Sequence, residues 1–394
     1  MKRVYLDYAA STPVDKEVEK AMRPFFNIKN NLFANPGSTH WFGQQASAAV
    51  FNARQKIAEA IGASYKELVF TASATEGNNL ALRGVVLDLV KNLKIKDKSF
   101  RIIVSAIEHE SVLKTAEDLK NLFEVEVVTI PVNKEGIIDL EKLKNALNKN
   151  TVLVSIMLAN NEIGTVQPVS EIGKIIKEFR GKNKYPLFHT DAVQAFQFLD
   201  CNVDELNVDL MTLSAHKIYG PKGIGLLYVK NINNSSLLTS VITGGGQENG
   251  LRSGTENVPY IVGFGKAVEL AEKNRIKEYK RLKSLRNYFW KEIRKIIPSV
   301  QLNGSLEQRL PNNLNIYFPG RPSQDLSIEL DLNGVAISTG VACASRLARP
   351  SYVIAALNGG DDRAYSSIRF SFGRYTSKED INWTLSRLSQ RFGK

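Results

Sequence analysis

The sequence predicts an α/β protein: a mostly parallel sheet covered on both faces, followed by a smaller α+β portion. Three observations carry that expectation. Short apolar runs alternate with helix-length amphipathic stretches between Leu68 and Val229, the rhythm of strand–helix–strand units. The runs are apolar on both faces, as in strands buried from two sides. The chemically unusual residues fall just after strands, where ligands bind in such sheets.

Taken in order, a strand over 68–71 leads to a helix over 74–93, and a strand over 101–105 to a helix over about 111–122. A strand over 125–130 precedes a helix over 140–147, and a strand over 151–157 precedes a helix over 169–179. Further strands cover 187–190, 210–213 and 225–229. A long helix, about 258–297, separates this region from short strands at 313–317 and 368–371 and helices at 323–332 and 378–391. The resulting division is a large unit over 15–258 and a small one made of 1–14 with 259–394.

Composition removes several classes. Two cysteines in 394 residues cannot staple a secreted domain and fit a reducing, cytoplasmic setting. Two cysteines and four scattered histidines give no structural zinc pattern, and no metal site is expected. The apolar stretches are far shorter than the ~20 residues of a spanning helix. Asp7 interrupts any signal-like start after Met1-Lys2-Arg3. The net charge is +12, but its densest cluster, 273–295, carries Ile276, Tyr279, Leu282, Leu285, Phe289 and Ile293 at helical spacing. That is an amphipathic helix with a solvated basic face, so nucleic-acid binding is not expected.

Several motifs carry chemistry. Ser214-Ala215-His216-Lys217 ends a strand and opens a Gly/Pro-rich turn. A lysine there can form a Schiff base or be an ordinary surface lysine. Asp191 ends another apolar strand 26 residues earlier, as an acid or a helix cap. Together the two suit pyridoxal phosphate, which needs a lysine for its aldehyde and an acid at its pyridine nitrogen. Thr71-Ala72-Ser73-Ala74-Thr75-Glu76 joins a strand to a helix, as a phosphate site or a plain capping box. His109, past a third strand, can stack on a ring and move protons, or simply cap. Cys343 lies among small polar residues with Arg346 and Arg349 following, a setting for a low-pKa nucleophile. Cys201 has no such setting. Arg369 interrupts a short apolar strand and wants a carboxylate from the protein or a substrate. The run Gly244-Gly245-Gly246-Gln247-Glu248-Asn249-Gly250 is a flexible loop able to reach a neighbouring subunit.

These segments, with Asn35-Pro36-Gly37-Ser38 and Asn160-Asn161-Glu162-Ile163-Gly164, resemble the cysteine desulfurases of the class V aminotransferase group almost end to end. The cysteine loop looks like that of the long-loop bacterial subgroup. The resemblance implies a fold-type-I aminotransferase architecture with a seven-stranded sheet, pyridoxal phosphate as cofactor, and a homodimer. Lys217 would carry the cofactor and move the substrate α-proton. Asp191 would face the pyridine nitrogen, Gln194 the phenolic oxygen, and His109 the ring. Ala74, Thr75, Ser214 and His216 would hold the phosphate, joined by Thr255 of the neighbouring subunit. Asn160 and Arg369 would bind the carboxylate of L-cysteine, and Asn160 would contact the cofactor as well. Cys343 would take the sulfur as a persulfide and hand it to an iron–sulfur scaffold or tRNA-thiolation enzyme, where it can transiently ligate a cluster.

The chain departs from the family pattern at Asn249, where an arginine is usual, at Val341, and at Arg346 and Arg349. It stops short of the C-terminal tail that helps longer relatives dock the scaffold. Transaminase, selenocysteine lyase and cysteine-sulfinate desulfinase are the alternatives that keep the cofactor. A basic binding or scaffold protein is the alternative without it.

Overall fold

The computed structural model describes residues 2–93, 100–232, 237–339, 350–357 and 360–392. In chain order its elements are β1 (Val4–Tyr5), α1 (Lys16–Met22), α2 (Trp41–Ala60), β2 (Leu68–Thr71), α3 (Ala74–Leu93), β3 (Arg101–Ser105), α4 (Glu110–Phe123), β4 (Glu126–Ile130), α5 (Leu140–Ala146) and β5 (Thr151–Ser155). There follow α6 (Val169–Arg180), β6 (Leu187–Asp191), α7 (Val203–Leu206), β7 (Leu210–Ser214), β8 (Gly225–Val229) and the 39-residue α8 (Val258–Ile296). The last part holds β9 (Gln301–Leu302), β10 (Asn313–Tyr317), α9 (Ser323–Leu332), β11 (Val335–Ala336), α10 (Tyr352–Ala356), α11 (Gly360–Tyr365), β12 (Ser367–Ser371) and α12 (Lys378–Phe392).

Seven strands form the main sheet in the order β2-β8-β7-β6-β5-β3-β4. Pairing is parallel from β7 to β4. Only β8 runs against its neighbours, antiparallel to both β2 and β7. Alternate strand residues feed two cores. Val69, Ile102, Val104 and Leu227 pack with Leu80, Val85 and Leu119 of α3 and α4. Phe70, Ile103, Phe188 and Leu226 join the core that contains Ile57, Ile176 and Phe264 of α2, α6 and α8. The chain runs outward from β3 to β4 and then returns to place β5 on β3's other side. That reversal opens a crevice beyond the strand ends.

The smaller portion is built on the antiparallel β12-β10-β9 sheet. The N-terminal strand contacts it: β1 pairs with β11, and Asp7 bridges to Ser371. On α8, Leu282, Phe289 and Ile293 are buried as the spacing predicts, but Ile276 is 72% exposed. It lies six residues before Leu282, roughly 240° around the helix, off the buried stripe.

Gly225 on β8 is the register partner of Ser214 and passes close to the turn before α3. A Cβ there would lie 2.5 Å from the Ser73 carbonyl carbon and 2.8 Å from the Ala74 amide nitrogen. Both atoms are backbone and cannot swing aside. Gly225→Ala is therefore expected to cost about 1–3 kcal/mol, read as a lower denaturation midpoint. An unchanged midpoint would show that the turn gives way freely.

Candidate active site

The C-terminal ends of β2, β3, β5, β6 and β7 surround a cleft of about 290 Å3, lined also by Ala9, Ala10, Tyr352 and Arg369. Lys217 closes the short turn after β7. Its Nζ donates to the carbonyls of Ala9 at 2.6 Å and Ala10 at 2.8 Å. Gln194 Nε2 donates to the same Ala9 oxygen at 2.8 Å. Asp191, at the end of β6, is 6% exposed. Its Oδ2 accepts from Asn78 Nδ2 at 2.8 Å and its Oδ1 from the Val193 amide at 3.0 Å.

Ala74 and Thr75 line the cleft at the N-terminus of α3, where amides without intrahelical partners favour an anion. Half of the capping box is also present: Ser73 Oγ accepts from the Glu76 amide, while Glu76 Oε2 accepts from the Ala72 amide, one residue before the cap. His109 likewise caps α4 while lining the cleft. His216 lines it beside Lys217. Burial, reinforced by Lys217 and Lys222, pulls its pKa down to about 4, so it is a neutral imidazole at pH 7. Ser214 is buried at the end of β7, next to the cleft rather than lining it.

Arg369 finds a carboxylate within the protein. Its Nη2 pairs with Asp7 Oδ1 at 2.6 Å and its Nη1 donates to the Asn161 carbonyl at 2.8 Å. Its buried Nε has no partner among the described residues.

Asn160 and Asn161 are placed differently. Asn160 is fully buried, and its side chain is spent on the turn that follows β5. Its Nδ2 donates to the Ile107 carbonyl, and its Oδ1 accepts from the amides of Glu162 and Ile163. Asn161 lines the cleft, and its buried Oδ1 is unpartnered among the described residues. Two adjacent asparagines gave the sequence no means of telling which one turns inward.

Thr255 is not brought to the cleft. It lines a separate cavity of about 170 Å3 with Arg252, Glu248 and Phe70. Asn249, in the same loop, sits at φ 57°. Asparagine tolerates this left-handed region better than arginine, and its side chain reaches the Lys66 carbonyl. Cys343, with Val341, Arg346 and Arg349, lies outside the described residues. Cys201 is buried, which pushes its thiol up to about 12 and makes it inert.

Two glutamates escaped the motif reading. Glu162 lines the cleft. Burial raises its pKa to about 7 against the opposing pull of Ser351 and Arg369. Glu108 lies directly before His109, fully buried, with Oε1 held by Ser105 and the Met157 amide and Oε2 unpartnered. Burial, with a smaller contribution from Asp191, pushes it up to about 8. The sequence signal was only that both acids sit just past strand ends.

These residues fit pyridoxal phosphate. A lysine amine and a buried acid line one cleft, a helix N-terminus made of small residues opens into it, and two buried polar atoms, Arg369 Nε and Asn161 Oδ1, lack partners. Comparison with known proteins agrees. The model of the family described as aminotransferase class-V matches residues 4–383. This chain belongs to that family. It is 48% identical over 391 residues to the cysteine desulfurase IscS of Dictyoglomus turgidum, covering 99% of this chain and 95% of that relative. A solved NifS-like protein superposes with a TM-score of 0.89 at 34% identity, covering 99% of both chains. The solved structure of SspA in complex with cysteine superposes with a TM-score of 0.78 at 36% identity, covering 95% of this chain and 99% of that one. The protein is thus a pyridoxal-phosphate enzyme of the cysteine desulfurase branch, and the binding-protein alternative falls. No helix among the described residues is long and apolar enough to cross a membrane.

Glu108 yields a pH prediction. Its folded pKa lies above its unfolded value of 4.5, so the folded state keeps a proton that the unfolded chain releases. Its contribution is fully present below pH 4.5 and is lost as pH rises toward 8. Glu108→Gln keeps the acceptor for Ser105 and Met157 and is expected to flatten the fall in stability between pH 5 and 8. Urea titrations across that range check it, and parallel curves for both proteins would refute it.

Proposed function

We propose that this protein converts L-cysteine to L-alanine and captures the sulfur as a persulfide on Cys343. The observation that carries the reading is the meeting of Lys217, Asp191, His109 and Arg369 around one cleft. Bound pyridoxal phosphate supplies an electron sink for charge developing at the substrate Cα. The chain's own residues do the rest. Lys217 holds the cofactor and, once released from it, moves the α-proton. Asp191 faces the pyridine nitrogen and Gln194 the phenolic oxygen. Ala74, Thr75, Ser214 and His216 hold the phosphate.

Arg369, already steadied by Asp7, takes the substrate carboxylate through its unpartnered Nε, beside Asn161. His109 exchanges a proton at the substrate sulfur. The Cys343 thiolate then attacks that sulfur: the substrate C–S bond breaks, an S–S bond forms, and the carbon skeleton leaves as alanine. In balance, L-cysteine and the Cys343 thiol give L-alanine and the Cys343 persulfide. A loop thiol is what separates this reaction from transamination on the same cleft.

The reading includes a homodimer in which Thr255 completes the partner's phosphate site. In support, Thr255 lies away from its own chain's cleft. The exposed side chains of Phe33, Trp41 and Phe42 also form a ring cluster, with Phe26, Ile28 and Phe51 exposed nearby in the chain, apolar surface that a second copy could cover. It also includes cytoplasmic residence, transfer to an iron–sulfur scaffold or tRNA-thiolation enzyme, and the division into a 15–258 unit and a small unit of 1–14 with 259–394, supported by the β1–β11 pairing.

Peptide mass mapping after one turnover without reductant tests the nucleophile. The persulfide is expected on Cys343 and not on Cys201. Cys343→Ala is expected to lower sulfide release at least about a hundredfold while retaining the cofactor's visible band. Full sulfide release by that variant would remove Cys343 from the reaction.

A further inference from the structure

Asn78 and Ser111 join the two sides of the cleft. Asn78 lies on α3, four residues after Ala74 and on the same face of the helix. Its Nδ2 donates to Asp191 Oδ2 at 2.8 Å and to Ser111 Oγ at 2.8 Å. A carboxylate oxygen accepts only, so the amide must turn its N–H side to Asp191. Both Nδ2 protons are then committed. Ser111 Oγ accepts one of them, which leaves its own single proton for His109 Nδ1, 2.8 Å away. The Ser111 backbone amide also points at His109 Nδ1, at 3.1 Å. Two donors therefore converge on one ring nitrogen. That nitrogen cannot carry a proton of its own without facing an N–H head-on.

From this geometry we propose that Asn78 and Ser111 are positioning residues that fix His109 as the neutral tautomer protonated on Nε2, so that it meets the substrate first as a hydrogen-bond donor. The relay Asp191–Asn78–Ser111–His109 ties the orientation of the ring-facing imidazole to the acid at the pyridine nitrogen. Asn78 and Ser111 act through their neighbours and touch no reacting atom. Asn78 Oδ1 is buried without a partner; the strain of that orphan acceptor is tolerated because the donor side is needed twice. The proposal rests on the cleft being the catalytic centre, but the tautomer is a property of the folded chain and is read without turnover.

The test is nitrogen-15 NMR of the holoenzyme labelled at histidine, with the resonance of His109 identified by its loss in His109→Gln. The expected spectrum shows an unprotonated, hydrogen-bond-accepting Nδ1 and a protonated Nε2. Ser111→Ala removes one donor and cuts the link to Asn78. It is expected to shift the Nδ1 resonance, since only the backbone amide then donates to that nitrogen, and to lower kcat about tenfold with KM little changed. Ser111→Thr, which keeps the hydroxyl, is expected to restore both. A protonated Nδ1 in the unmodified enzyme overturns the proposal. So does a Ser111→Ala spectrum identical to the original, even if activity falls, since a merely structural role would leave the Nδ1 resonance unmoved. An enzyme inactive on L-cysteine but showing the expected tautomer would fault the proposed reaction and leave the relay standing.

Discussion

The site depends on keeping one carboxylate charged inside a protein core. Burying an ionised acid without donors costs far more than a hydrogen bond returns. Asp191 meets that constraint at the end of a central strand with two donors, the Val193 amide and Asn78. Two buried ionisable groups close to it in the fold stand neutral. His189, two residues earlier on β6, is held between Ser155 and Thr212, and burial pulls its pKa down to about 4. Glu108 is pushed the opposite way, to about 8. A carboxylate fixed there suits a cationic pyridine nitrogen, and it organises the hydrogen bonds that run outward to His109.

The second half of the site is made by the N-terminal strand. The Ala9 carbonyl receives both Lys217 and Gln194, residues from two separate sheet connections. Two residues away, Asp7 pairs with Arg369 on β12 and bridges to Ser371. Gly373 lets Tyr8 lie against the same strand exit, since a Cβ there would come within 2.1 Å of the Tyr8 ring. Residues 7–10 thus tie the large sheet, which carries cofactor chemistry, to the small sheet, which supplies the carboxylate-binding arginine. Tyr352 adds another tie: its hydroxyl donates to the Glu108 carbonyl beside His109.

Much of this was legible in the sequence, for physical reasons. Strands buried on both faces leave apolar runs with sharp ends, and β2, β7, β8 and β10 sit where such runs predict. Strand-end residues with unusual chemistry, Lys217, Asp191 and His109, were legible because their chemistry is out of place after an apolar run. What escaped lacks that contrast. The 20-residue α2 is rich in Ala and Gln, so its apolar stripe is too faint to read. The two-residue β1 and β11 exist only because each finds the other across the chain. Asn160 and Asn161 are chemically identical, and only the turn after β5 decides which faces inward. Asn78 and Ser111 look like ordinary helix residues until folding places them between Asp191 and His109.

The central claim is that this cleft turns L-cysteine into alanine and transferable sulfur on pyridoxal phosphate. The most direct test is the visible spectrum of the purified holoenzyme before and after L-cysteine, with alanine and sulfide measured in the same tube under reductant. The account predicts a yellow band that L-cysteine shifts, and alanine and sulfide released in equal amounts. A protein that stays colourless after reconstitution, or a band that persists while no alanine forms, would contradict it.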